Sequence, residues 1–141
     1  MKSPLSDFLR LSLFLCLFFY VYNLSGQKYV FTNYTLQDGL PQISVLSLFQ
    51  DHNGNIWIGT QGGVSRFNGY TFKNYDTRHG LSDNHVTVIT EDNFGRIWFG
   101  HRYSGISCLA NEQVFSWDTL FRSRVVAFEP DHYGNLWVAT A

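Results

Sequence analysis

Cysteine is nearly absent from this chain: of two, only Cys108 lies outside an apolar run near the N-terminus. A single thiol closes no internal disulfide and builds no cysteine-based zinc site, so Cys108, between Ser107 and Leu109 in a strand-like stretch, reads as a buried structural residue. Charge of one sign is equally scarce. A net charge of −1 provides neither the basic footprint of a nucleic-acid binder nor a polybasic membrane patch. Catalytic signatures are lacking too. There is no Gly-x-Ser-x-Gly elbow and no Gly-x-x-x-x-Gly-Lys phosphate loop, and His52, His79, His85, His101 and His132 form no His-x-x-x-His pair. No catalytic residue, metal or cofactor is therefore expected, and the chain is not read as an enzyme.

No apolar run reaches the about 20 residues that a membrane-spanning helix needs. The longest, residues 11–22, follows Lys2 and Arg10 and precedes Ser25 and Gly26, the pattern of a secretory signal peptide over residues 1–26. An uncleaved anchor is the alternative. Cys16 lacks the small-residue context of lipoprotein processing and reads as filler within the run. The chain is thus expected to be exported.

What it has in abundance is repetition. Asp51-His52-Asn53-Gly54-Asn55-Ile56-Trp57-Ile58-Gly59 returns as Asp92-Asn93-Phe94-Gly95-Arg96-Ile97-Trp98-Phe99-Gly100 and again as Asp131-His132-Tyr133-Gly134-Asn135-Leu136-Trp137-Val138-Ala139. Trp57, Trp98 and Trp137 stand 41 and 39 residues apart, close to the roughly 40–45 residues of a four-stranded propeller blade. Helical solenoids would show an i, i+3, i+4 apolar spacing and Ala/Leu/Glu/Lys-rich stretches. Short β-branched and aromatic runs broken by Gly and Asn stand there instead. The fold class expected is all-β, with propeller blades of four antiparallel strands in an incomplete ring.

Within the first period the strands expected are Val45–Gln50, 55–60, Val64–Phe67 and 70–75, with Asn68-Gly69 as a hairpin signal. The second copy offers Val86–Glu91, 96–101, 106–109 and 114–117, and the third offers two strands. Residues 29–34 match residues 70–75 at the same offset and read as a leading outer strand (29–36), of the kind that fastens a propeller ring shut. Blade 1 then spans 37–75, blade 2 spans 76–117 and a partial blade 3 spans 118–141. Residues 27–141 hold about 2.8 periods, whereas propellers close with about 4–8 blades. The chain is therefore expected to be the N-terminal part of a longer protein, poorly stable alone. Copies assembling into a ring are the alternative.

The repeated residues Asp51, Gly54, Trp57, Gly59, Asp92, Gly95, Trp98, Gly100, Asp131, Gly134 and Trp137 are assigned to structure. Calcium binding by the Asp-x-x-Gly turns is disfavoured, because Gly stands at the fourth position rather than the sixth and no distal Glu follows. The tryptophans recur in register beside Ile, Leu, Val or Phe, as wedge-filling rings between blades would. Ligand binding is expected instead on the face where the loops 38–42, 78–85, 61–63 and 101–104 converge. The repeat is most irregular at His101-Arg102-Tyr103, where the first copy has Thr60-Gln61-Gly62. Arg102 and Tyr103, with His101, Gln61 and Asn84 behind them, are the candidate ligand contacts.

The long motif Gly39-Leu40-Pro41, Val45, Asp51-x-x-Gly54-Asn55-Ile56-Trp57-Ile58-Gly59-Thr60-Gln61-Gly62-Gly63-Val64 resembles the two-component regulator propeller repeat. Gly80-Leu81-Ser82, Val86 and residues 92–100 form a second copy. Residues 131–140 form a partial third, in which Leu120-Phe121-Arg122-Ser123 replaces the Gly-Leu-Pro/Ser start. The resemblance implies the periplasmic sensor region of a two-component receptor: usually two seven-bladed propellers, a β-sandwich module, one transmembrane helix and a cytoplasmic output. The output is commonly a hybrid histidine kinase responding to oligosaccharides in Bacteroidetes. It also implies a carbohydrate ligand, a homodimer in the full-length receptor, and membrane attachment only through a downstream helix or an uncleaved signal. The competing expectations are a secreted scaffold or glycan-processing lyase or hydrolase, and a receptor with a cyclase or phosphatase output.

Overall fold

A computed structural model describes residues 10, 12–14, 29–118 and 123–141. The chain divides into two units, 1–33 and 34–141, and the architecture below belongs to the second. The expected signal peptide lies almost wholly outside the described residues, among which no helix is long and apolar enough to cross a membrane.

Blade 1 is a four-stranded antiparallel sheet of β1 (Val45–Gln50), β2 (Ile56–Thr60), β3 (Val64–Phe67) and β4 (Phe72–Tyr75) in chain order. Blade 2 repeats it with β5 (Val86–Glu91), β6 (Ile97–His101), β7 (Ile106–Ala110) and β8 (Gln113–Trp117). The third copy contributes β9 (Val125–Pro130) and β10 (Leu136–Thr140) as an antiparallel pair. Each inner strand has one register shift in the same place, skipping Leu46, Thr87 and Val126. A bulge leaves a residue outside the ladder and sharpens the local twist. Thr87 uses that freedom to aim its hydroxyl at the carbonyls of Gly100 (3.1 Å) and Val125 (2.7 Å), bridging blades 2 and 3.

The hairpins differ from their sequence reading for local reasons. The Asn68 carboxamide oxygen accepts the N–H groups of Tyr70 and Thr71 at 3.0 and 2.9 Å. That Asx turn takes both residues out of the ladder and starts β4 at Phe72. In blade 2 the same hairpin is the two-residue turn Asn111-Glu112, with φ of +49° and +63°. Residues 29–34, expected as a leading outer strand, hold no strand, because an outer strand needs a third strand of its own blade to pair with.

A short 3₁₀ turn precedes each four-stranded blade. Leu36–Asp38 is capped by Thr35 and Thr77–His79 by Asp76, each with a reciprocal capping box. The glycines that end them, Gly39 and Gly80, hold φ of +109° and +104°, a conformation that L side chains disfavour. This accounts for the recurrent Gly-Leu.

The core lies between sheets rather than within one. Trp57, Val64 and Tyr75 of blade 1 meet Val86, Ile89, Ile97, Phe99 and Leu109 of blade 2 around Leu81 of the linker. A second cluster joins Ile106, Val88 and Trp98 to Val125, Phe128, Leu136 and Val138. Bare backbone permits the approach: a Cβ added at Gly59 would lie 2.9 Å from the Val86 carbonyl oxygen, and one at Gly100 would lie 2.8 Å from the Val125 Cβ. Val86 and Val125 are fully buried there, while Val45, at the same place in blade 1, is 44% exposed because no blade among the described residues covers it. Glu112 fastens the outer strands, accepting from Arg66 Nη1 at 2.6 Å, from Lys73 Nζ and from the Tyr75 hydroxyl at 3.3 Å. Hydrogen bonds from Lys73 and Arg66 hold its carboxyl at about 2.

Gly100→Val is expected to lower stability by about 1–3 kcal/mol through overpacking against Val125 and Val88. Urea denaturation would show a lower midpoint at unchanged m-value, and an unchanged midpoint would refute the close-approach account.

Candidate functional site

The most regular chemistry in the chain belongs to the Asp-x-x-Gly turns. Asp51 Oδ1 accepts the backbone N–H groups of Asn53 and Asn55 at 3.0 and 2.8 Å. Its Oδ2 accepts Asn55 Nδ2–H at 2.9 Å and the indole Nε1–H of Trp57 at 2.8 Å. Asp92 does the same for Phe94, Arg96 and Trp98, and Asp131 for Tyr133, Asn135 and Trp137, the indole bonds measuring 2.8 and 3.1 Å. Burial pushes the Asp51 and Asp92 carboxyls upward, but these donors outweigh it and hold both below the ordinary range. Four N–H donors on each carboxylate leave no lone pair for a cation. Sequence reasoning assigned the Asp to the turn and the Trp to packing and overlooked the bond between them. The invariant six-residue spacing was the available signal. Trp57 is 1% exposed between two blades and Trp98 stacks on Trp117, whereas Trp137, with no further blade described beside it, is 65% exposed.

The loop face departs from this regularity. In blade 1 the β2–β3 turn closes on itself. The Thr60 hydroxyl donates to the Gly63 carbonyl at 2.9 Å and accepts the Gly62 N–H at 3.0 Å. Blade 2 has His101 in place of Thr60 and one residue more before the equivalent glycine, Gly105. The His101 ring turns inward and is fully buried, its Nε2 2.8 Å from the Ser107 hydroxyl, which also accepts the Ser82 N–H at 2.9 Å. The longer turn is held by the linker instead of by itself. Arg102 N–H donates to the His85 carbonyl at 3.0 Å and Tyr103 N–H to Asp83 Oδ2 at 3.2 Å. The His85 ring meets the Tyr103 ring edge-on at 5.7 Å, and the Arg102 guanidinium lies over the Tyr103 ring at 5.4 Å.

The structure thus brings Arg102, Tyr103 and His101 together with Asp83 and His85, two residues outside the sequence-based set. Their signal was position alone, in the linker facing an irregular turn. Asn84 serves the linker, its carboxamide oxygen accepting the Thr77 N–H at 2.8 Å. Gln61 is exposed on the blade 1 turn. Among the described residues no hydrogen bond or ring contact joins it to the Arg102 group.

Desolvation lowers the His101 pKa from 6.5 to about 4, against a smaller opposing influence of Asp83. The unfolded chain therefore binds the His101 proton before the folded one does. Stability is complete above pH 6.5 and is lost as pH falls toward 4, by about 3 kcal/mol in all. Chemical denaturation at pH 7.5, 5.5 and 4.5 should show this limb, and His101→Gln should flatten it. A limb of the same slope in the variant would assign the effect elsewhere.

A second expectation concerns the turn carboxylate. Asp51→Ala leaves the buried Trp57 Nε1–H and two backbone N–H groups without acceptors and should cost about 2–3 kcal/mol. The thermal midpoint checks this, and an unchanged midpoint would remove the Asp–Trp bond from the stability account.

Comparison with known proteins bears on the repeat and on the fold. The two-component regulator propeller repeat matches residues 39–62 and 80–103. Histidine kinase P4 of Formosa agariphila is 40% identical over 45 residues, which is 32% of this chain and 3% of that protein. The extracellular domain of a system described as a hybrid two-component system from B. thetaiotaomicron matches with a TM-score of 0.65 at 19% identity, over 76% of this chain and 16% of that one. That of a second such system from the same organism gives 0.63 at 18% identity, over 85% of this chain and 17% of that one. At these identities the structural likeness is one of fold, and the chain spans only a small part of each relative. Two stretches, 39–62 and 80–103, thus match the two-component regulator propeller repeat, and each leads into a four-stranded blade.

Proposed function

We propose that this chain supplies blades of a periplasmic, ligand-sensing propeller in a two-component receptor of the hybrid histidine kinase type, with an oligosaccharide as ligand. The observation that carries the reading is the pair of regulator-propeller matches at 39–62 and 80–103. The identity shared with a histidine kinase over 45 residues and the fold shared with extracellular domains of hybrid two-component systems support it. The segment itself is read as binding rather than catalytic, exported by its N-terminal signal, with phosphoryl transfer belonging to another part of the receptor. Sensing requires that the ligand bind one receptor arrangement more tightly than another. The blades are interlocked through the buried cluster of Trp57, Val86 and Phe99. The loops around Arg102 are the part of the segment suited to ligand contact.

The test is phosphate incorporation from ATP by the full-length protein in lipid nanodiscs, with and without plant and algal oligosaccharide mixtures. A change of about fivefold or more with a saccharide is expected. A reading frame with no kinase, or a kinase indifferent to every saccharide, would overturn the reading.

A further inference from the structure

We infer that Arg102 and Tyr103 form a platform for a saccharide carrying an anionic group, a carboxylate or a sulfate on the sugar ring. The inference rests on the reading above that this loop face binds a saccharide, and it names the chemistry of the contact.

The platform is peculiar to one copy of the repeat, so the fold does not demand it. Blade 1 closes the equivalent turn with Gln61-Gly62-Gly63, which has neither charge nor aromatic ring. In blade 2 the extra residue and the inward turn of His101 place Arg102 and Tyr103 at the surface, and Tyr103 is 64% exposed. The arginines elsewhere on the two blades are neutralised: Arg66 by Glu112, Arg78 by Asp76 and Arg96 by Asp92. Arg102 has no carboxylate within ion-pair distance among the described residues. The acid beside it, Asp83, is occupied by backbone, accepting the His85 N–H on Oδ1 and the Tyr103 N–H on Oδ2, each at 3.2 Å.

A guanidinium lying over an aromatic ring keeps its N–H donors free at its edge, in the fork that matches a carboxylate or sulfate. The exposed Tyr103 ring supplies the flat apolar surface that a sugar face needs beside that fork. An uncharged sugar would leave the guanidinium paired only with water, and a small free anion would leave the ring unused. An anionic sugar satisfies both.

The experiment is calorimetric titration of the full chain with trigalacturonic acid, its methyl ester and a sulfated galactose disaccharide. The ester keeps the backbone and removes the charge. The acid, the sulfate or both are expected to bind at least about tenfold more tightly than the ester, a charged hydrogen bond being worth about ten- to a hundredfold. Arg102→Gln should abolish that preference, and Tyr103→Ala should weaken all three ligands. Arg124→Gln should change nothing. Equal binding of charged and uncharged sugars, or a preference that survives Arg102→Gln, would overturn the inference and leave the sensing reading standing. Failure of every saccharide to bind would overturn both.

Discussion

An inner strand can lie against the preceding blade only where that blade offers bare backbone, and Gly59 and Gly100 offer it. With no side chain there, the Val86 and Val125 strands come close enough to be sealed from water and to carry Trp57, Phe99 and Phe128 into continuous inter-blade clusters. Removing an aliphatic side chain from water is worth about 1.5–3 kcal/mol, and each inter-blade seam gathers several. The third copy, with no further blade described beside it, has no such seam at this position. Ala139 stands where Gly100 would be, and its ladder partner is Ala127, where Gly100 faces Val88. The added methyl is matched by a smaller neighbour, so the volume of the pair is nearly conserved.

The Asp–Trp bond makes that seam reproducible. Burying an indole N–H without an acceptor costs about 1–3 kcal/mol, so the wedge-filling tryptophan needs a fixed partner. The turn carboxylate, already oriented by two backbone N–H groups, supplies it six residues upstream. One residue thus closes the hairpin, satisfies the buried donor and sets the ring between blades. This explains why Asp, Gly and Trp recur as a unit, when any of several residues would serve a turn alone.

Most of the fold was legible because its signals are local and repeated. Strand positions followed from short apolar runs between Asn and Gly, and blade 1 and blade 2 fell close to where the period placed them. The losses came where side chains compete with backbone or where pairing is distant. Asn68 captures two N–H groups and shortens β4, and nothing in the run 70–75 announces this. Glu112, in a left-handed turn where a glycine would be expected, is tolerated in a position whose carboxylate gathers Arg66 and Lys73 from the neighbouring blade, a partnership 46 and 39 residues distant in sequence. The candidate site was legible as an irregularity, at His101-Arg102-Tyr103. Its composition was not, since Asp83 and His85 join it only through the three-dimensional meeting of linker and turn.

That irregularity bears on how a repeat array acquires a specific face. Positions that hold the blades together are already fully engaged: the turn aspartates by four donors, Gly59 and Gly100 by contact, the tryptophans by their indole bonds to the aspartates. Variation is cheap only where the repeat spends nothing, at the turn between second and third strands. Blade 1 leaves that turn minimal and self-closed through Thr60. Blade 2 lengthens it by one residue, and that alone would leave backbone N–H groups without partners. His101 fills the space below, and the linker accepts the released N–H groups of Arg102 and Tyr103 through His85 and Asp83. The compensation stays within one linker and one turn and leaves both inter-blade seams untouched. A propeller can therefore tune one loop for a ligand without disturbing the packing that carries it.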